Sequence, residues 1–113
     1  MKLYGIPNCD TVKRARAWLD EHGRAYAFHD FKKAGVPEAR LDDWLARAGW
    51  ETLVNRKGTT WRKLDDARRA AVLDAATARA LMIEQPSVIK RPVVEWDDGE
   101  LTVGFDAERW AAR

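Results

Sequence analysis

Apolar and polar positions change period several times along the chain, and each change marks an element. Lys2-Leu3-Tyr4-Gly5-Ile6 is short and apolar enough for a buried strand. Val12, Ala15, Trp18 and Leu19 then recur at helical spacing on one face, and Gly23 can end that helix. Ala25 to Phe31 alternates with aromatics on one side, a strand pattern. Strand, helix and strand in so short a span predict a βαβ unit with parallel strands. Lys32-Lys33-Ala34-Gly35 reads as a polar turn. Pro37 and Glu38 open a second helix, with Leu41, Trp44, Leu45 and Ala48 on one face and its end at Gly49.

Trp50 to Leu64 is mixed: Trp50, Leu53 and Val54 form an apolar anchor, and Asn55-Arg56-Lys57-Gly58-Thr59-Thr60 reads as a loop. Asp65 or Asp66 is expected to cap a helix running through Leu73, and Ala76 to Met82 a further one that stops before Pro86. The last third returns to strands. Val93-Val94-Glu95-Trp96 and Leu101 to Phe105 flank Asp97-Asp98-Gly99-Glu100, whose Asp-Gly step signals a hairpin, and Asp106 caps a short helix containing Trp110. The order β-α-β, helices, β-β-α is the plan of an α/β, thioredoxin-like domain. A single domain over residues 1–113 is expected, with a helical insertion at about 37–86 between the second and third strands.

Composition narrows the function classes. Twenty basic and eighteen acidic residues leave a net charge of +2, interspersed along the chain, so no basic stripe for nucleic acid is expected. No apolar run reaches membrane-spanning length and no signal peptide is apparent, so a cytoplasmic protein is expected. Six tryptophans are better read as core than as stacking platforms for bases. His22 and His29 have no ligand spacing with each other or with the cysteine, so no metal site is expected.

The single cysteine, Cys9, carries the candidate chemistry. It falls where a strand hands over to a helix, and there the first N–H groups lack intrahelical partners and carry about half a unit of positive charge. Such a position can bring a thiol pKa from ~8.5 to about 7 or below. A lone cysteine is more often a small buried hydrophobe. Against that reading, Asn8 and Thr11 supply polar groups suited to a helix entry and Pro7 stiffens the approach, whereas Asp10 is expected to raise the thiol pKa. Asn8 and Thr11 could hydrogen-bond the sulfur or a bound oxyanion, or simply cap the helix. Lys13, one turn further on, could add positive field. With one cysteine there is no internal disulfide, so disulfide chemistry needs a second thiol from elsewhere.

Three separated motifs, Tyr4-Gly5-Ile6-Pro7-Asn8-Cys9-Asp10-Thr11, Asn55-Arg56-Lys57-Gly58-Thr59-Thr60-Trp61-Arg62-Lys63-Leu64 and Ile89-Lys90-Arg91-Pro92, occur in the order found in the ArsC-like family of thioredoxin-fold proteins. The chain resembles that family over nearly its whole length, and within it most closely the small YffB-type members. The resemblance implies a cysteine-based, glutathione-dependent monothiol reductase. Cys9 would be the nucleophile, and glutathione a co-substrate rather than a bound cofactor. Arg56 and Arg91 match active-site arginines that would hold an anion and keep the thiolate ionised, with Asn8, Thr11 and Lys13 as further candidates. Pro92 matches the cis-proline that faces the cysteine in this fold. A small-molecule or protein disulfide substrate and a monomeric state are expected, with glutaredoxin as a candidate partner. Two other activities fit the resemblance: arsenate reduction coupled to glutathione and glutaredoxin, and a non-catalytic, Spx-like adaptor that binds RNA polymerase. For the first, the final hairpin reads Leu101-Thr102-Val103-Gly104-Phe105, without the further arginine of arsenate reductases, so efficient turnover is not expected. For the second, many relatives carry a CxxC switch, whereas Val12 stands here.

Overall fold

The computed structural model describes residues 1–113, which fall into two compact units: residues 1–34 with 91–113, and residues 35–90. The first unit contains strands β1 (Lys2–Gly5), β2 (Ala27–Asp30), β3 (Val93–Glu95) and β4 (Leu101–Val103) in one sheet of order β2-β1-β3-β4. The β1–β2 pair is parallel, with Leu3 opposite Phe28. The β1–β3 and β3–β4 pairs are antiparallel, with Leu3 opposite Val94 and Val94 opposite Thr102. This is the mixed sheet of a thioredoxin-like α/β fold, as expected. The hairpin closes through Asp97-Asp98-Gly99. Gly99, at φ 86°, donates its N–H to the Trp96 carbonyl at 3.0 Å, a left-handed conformation that glycine adopts without cost from a Cβ.

Helix α1 (Asp10–Glu21) turns Val12, Ala15 and Leu19 onto the sheet, where they bury against Leu3, Val94, Trp96 and Trp110. Trp110 belongs to the C-terminal helix, one turn long, whose first N–H groups are capped by the Asp106 carboxylate. Gly5 sets how closely α1 approaches: a Cβ there would stand 2.9 Å from Val12 Cγ2, and the β-branched valine has little rotameric freedom to yield. The strand is thereby allowed to run directly under the first turn of α1, where Cys9 stands.

Two boundaries in this unit differ from the sequence reading. The second strand begins at Ala27 and ends at Asp30, and Phe31–Ala34, expected as strand end and polar turn, form one helical turn, α2. The cause is local: the Asp30 carboxylate accepts the Lys32 and Lys33 N–H groups at 2.9 and 3.3 Å and so nucleates a helix. Phe31 is buried, stacked beside Tyr4.

The second unit is helical throughout: α3 (Glu38–Ala48), α4 (Trp50–Leu53), α5 (Thr59–Lys63), α6 (Asp66–Ala70), α7 (Ala75–Glu84) and a 3-10 turn at Pro86–Val88. Its buried side chains are Leu41, Trp44, Leu53, Val54, Val72, Ala78, Leu81, Met82, Val88 and Ile89. The ambiguous Trp50 segment is helical, and helix also resumes at Thr59, inside the stretch expected as loop. The two helices expected after Leu64 are both present, but the first is shorter than its expected end at Leu73. Asp65 caps α6, which ends at Ala70, and a reciprocal capping box between Asp74 and Thr77 starts α7 afresh. An antiparallel bridge between Val54 and Ile89, flanked by Asn55 N–H to Val88 O and Lys90 N–H to Leu53 O, ties the middle of the unit to its end. Arg79 of α7 ion-pairs with Glu38 and Asp42 of α3. No helix is long and apolar enough to cross a membrane.

Candidate active site

Cys9 is the N-cap residue of α1, in extended conformation (φ −141°, ψ 123°), with its carbonyl accepting the Lys13 N–H at 2.9 Å. Its side chain is half-buried against the edge of the Leu3–Val94–Trp110 cluster. The sulfur makes no capping hydrogen bond of ordinary geometry. Four neighbouring influences favour the thiolate.

Burial of the sulfur pushes its pKa up and is the largest individual influence. It is outweighed by the Val12 N–H, by Arg91 as hydrogen-bond donor and as charge, and by the Thr11 N–H, so that the net shift is downward from the ordinary thiol value. The N–H groups belong to the first turn of α1 and are orphaned there for the reason the sequence suggested. Arg91 comes from the other end of the chain. It directly precedes Pro92 across a cis peptide bond, as the resemblance implied. Pro92 is buried, and its carbonyl accepts the Gly104 N–H at 2.8 Å, which anchors the Arg91 segment to the end of the hairpin.

The structure thus brings Cys9, Thr11 and Arg91 together, although Thr11 acts through its main chain rather than through its hydroxyl. Val12, seen in the sequence only as a core residue, contributes its amide as well; the signal for it was the cap position of Cys9. Asp10, expected to oppose ionisation, is exposed in the first turn of α1, and the net shift at Cys9 is downward all the same. Asn8 and Lys13 are exposed and lie beside Cys9 in the chain. Arg56 lies in the second unit, exposed, with its guanidinium over the Trp50 ring at 5.2 Å. The turn that carries it is held by Asn55, whose side-chain oxygen accepts the Lys57 N–H at 3.2 Å. No group of histidine, cysteine or carboxylate side chains could hold a metal ion.

Replacing Arg91 by glutamine removes two of the influences that favour the thiolate and leaves burial in place. The midpoint of Cys9 alkylation against pH is therefore expected to rise toward that of a free thiol, with Arg91→Lys restoring part of the shift. An unchanged midpoint would show that Arg91 does not act on the sulfur.

A thiol at a helix mouth, opposite a cis-proline strand on a β2-β1-β3-β4 sheet, defines a cysteine-bearing thioredoxin-like protein. The family is more specific than that: residues 4–113 match the model of the ArsC family, and the chain belongs to it. It is similar to the solved structure of the YffB protein, with 53% identity, 98% of this chain and 96% of that one covered, and a TM-score of 0.89. A solution structure of an arsenate reductase (ArsC) related protein from Brucella melitensis is 52% identical, with 98% and 91% covered and a TM-score of 0.77. An uncharacterised protein of Haemophilus influenzae is 39% identical over 97% of this chain and 95% of its own. The global transcriptional regulator Spx of Streptococcus agalactiae is 26% identical over 94% of this chain and 77% of its own.

Proposed function

We propose that the protein is a glutathione-dependent monothiol reductase. The observation that carries this reading is the net stabilisation of a partly accessible Cys9 thiolate by helix-mouth amides and Arg91. Cys9 thiolate attacks a disulfide between a substrate thiol and glutathione. A bond forms between Cys9 and the glutathione sulfur, the original sulfur–sulfur bond breaks, and the substrate leaves as a thiolate that takes up a proton. A second glutathione, as thiolate, then attacks the mixed disulfide. Oxidised glutathione leaves, and Cys9 returns to the thiolate. The external thiol is required because no second cysteine exists in the chain. Arg91 supports the ionised sulfur and offers a charge to a glutathione carboxylate. Arg56 is assigned the role of a second anion-binding arginine by its motif position alone.

The test is to mix the protein with oxidised glutathione and follow intact mass. One glutathione per chain is expected on Cys9, removed by reduced glutathione. Failure to form that adduct at a pH where a free thiol forms one would overturn the reading. Arsenate reduction is a second reading, favoured by the 52% identity to the Brucella protein described as arsenate reductase related. It is disfavoured by the absence of an arginine in Leu101–Phe105. Arsenate-dependent oxidation of glutathione, with glutaredoxin present, separates the two.

A further inference from the structure

Away from Cys9, toward the C-terminal end of α1, a shallow hollow is lined by Arg16, Asp20, Arg24, Ala25, Tyr26 and Phe28. Arg16 is held in place there. Its Nε donates to the Tyr26 hydroxyl at 2.9 Å, and its guanidinium carbon lies 4.2 Å from the centre of the Phe28 ring. With Nε engaged and the guanidinium lying over an aromatic ring, the two terminal nitrogens are left for a ligand. Arg24, on the rim, approaches the Trp96 ring at 5.8 Å. Neither guanidinium forms an ion pair, although Asp20 stands on the same rim, and elsewhere in the chain Arg40, Arg47, Arg68, Arg69, Arg79 and Arg113 do so.

The hollow adjoins an open sheet edge. Strand β2 pairs on one side only. The Ala27 N–H donates to the Met1 carbonyl, so in a parallel ladder Ala27 and His29 turn their main-chain groups toward β1, and Phe28 turns its own outward. An unpaired edge that accepts another strand would place alternate side chains of that strand on the α1 face of the sheet, at the level of the two arginines. A hollow this open does not enclose a small molecule as a ligand pocket does. It suits side chains presented from a longer backbone.

We propose that the β2 edge, with Arg16 and Arg24, is a docking site for an acidic, extended segment of a protein partner. Main-chain pairing at Phe28 supplies attachment, and carboxylates on alternate residues of the segment meet the guanidiniums. This site is separate from the thiol chemistry and does not depend on it.

The test is a titration of isotope-labelled protein with a blocked peptide of alternating valine and glutamate, about seven residues long, a typical strand length. Amide shifts are expected at Phe28 and Asp30, together with a shift of the Arg16 Nε–H. Binding should weaken with salt and fall about tenfold in each of Arg16→Gln and Arg24→Gln, as expected for loss of one charge-assisted contact. Arg24→Gln leaves the Arg16 packing untouched and so guards against a folding artefact, and the pH profile of Cys9 alkylation should be unchanged in both variants. The same shifts with a valine–lysine peptide would overturn the proposal, as would the absence of any shift at millimolar peptide. If glutarate at equal carboxylate concentration reproduces the Arg16 shift while the peptide leaves the Phe28 amide unmoved, the hollow is a small-anion site and docking is refuted.

Discussion

Cys9→Ser is expected to reduce thiol-transfer activity by at least about a thousandfold, because a serine hydroxyl stays protonated at neutral pH and no other thiol exists to replace the nucleophile. The pH profile of the native protein makes the prediction sharper. The Cys9 pKa is lowered in the folded state, so alkylation should reach half its limiting rate below the pH at which a free thiol does, and fall only as pH drops through that lowered value. Stability follows the same sign. The folded pKa is depressed, so the stabilising contribution is complete above the unfolded thiol pKa and fades as pH falls through the folded one. The difference in unfolding free energy between the native protein and Cys9→Ser should therefore change in the protein's favour as pH rises through that window. A reactivity midpoint at or above that of a free thiol would remove the physical basis of the proposed mechanism.

The helix-mouth half of this site was legible in the chain order, because a strand followed at once by an amphipathic helix leaves few places for Cys9 other than the cap. The Arg91 half was legible only through a motif, since nothing in local patterning brings residue 91 back to residue 9; the pairing of β1 with β3 does that. The opposition expected from Asp10 does not decide the sign, because the first-turn amides and Arg91 carry the net shift downward. The hairpin was readable from Asp98-Gly99 because the turn chemistry there is nearly unambiguous. The middle of the chain was harder. Asp65 and Asp74 are both caps, and because Ala71, Val72 and Leu73 carry no breaker, the first helix was read through to Leu73, whereas it ends at Ala70 and the Asp74 cap starts the next one. The docking edge at β2 had no sequence signature at all: Arg16 and Arg24 become neighbours of Phe28 only once α1 lies across the sheet.

Trp110→Ala is expected to cost about 3–5 kcal/mol of unfolding free energy, the range for deleting a large aromatic side chain from a packed core. Three features place it at the upper end. Trp110 is 2% exposed, and it meets the rings of Trp18, Trp96 and Phe105 edge-on at 5.5, 5.0 and 4.7 Å. Each such geometry adds about 0.5–1.5 kcal/mol beyond area burial. The helix that carries Trp110 spans Ala107–Ala111, too short to persist without the contact, so the cavity would be accompanied by fraying of the C-terminus. Equilibrium urea unfolding measures the loss, with Leu73→Ser as the control. Leu73 is 74% exposed and its replacement should stay within about 0.5 kcal/mol. A cost below about 1 kcal/mol for Trp110→Ala would mean that the aromatic cluster is not what secures the last helix. Because Val12, Ala15 and Leu19 also bury against Leu3 and Val94, α1 keeps its place in Trp110→Ala below the unfolding transition, and the pH midpoint of Cys9 reactivity should remain below that of a free thiol. If instead the midpoint moved to that of a free thiol while the protein remained folded, the aromatic cluster would have to be counted among the structures that hold the cysteine at the helix mouth.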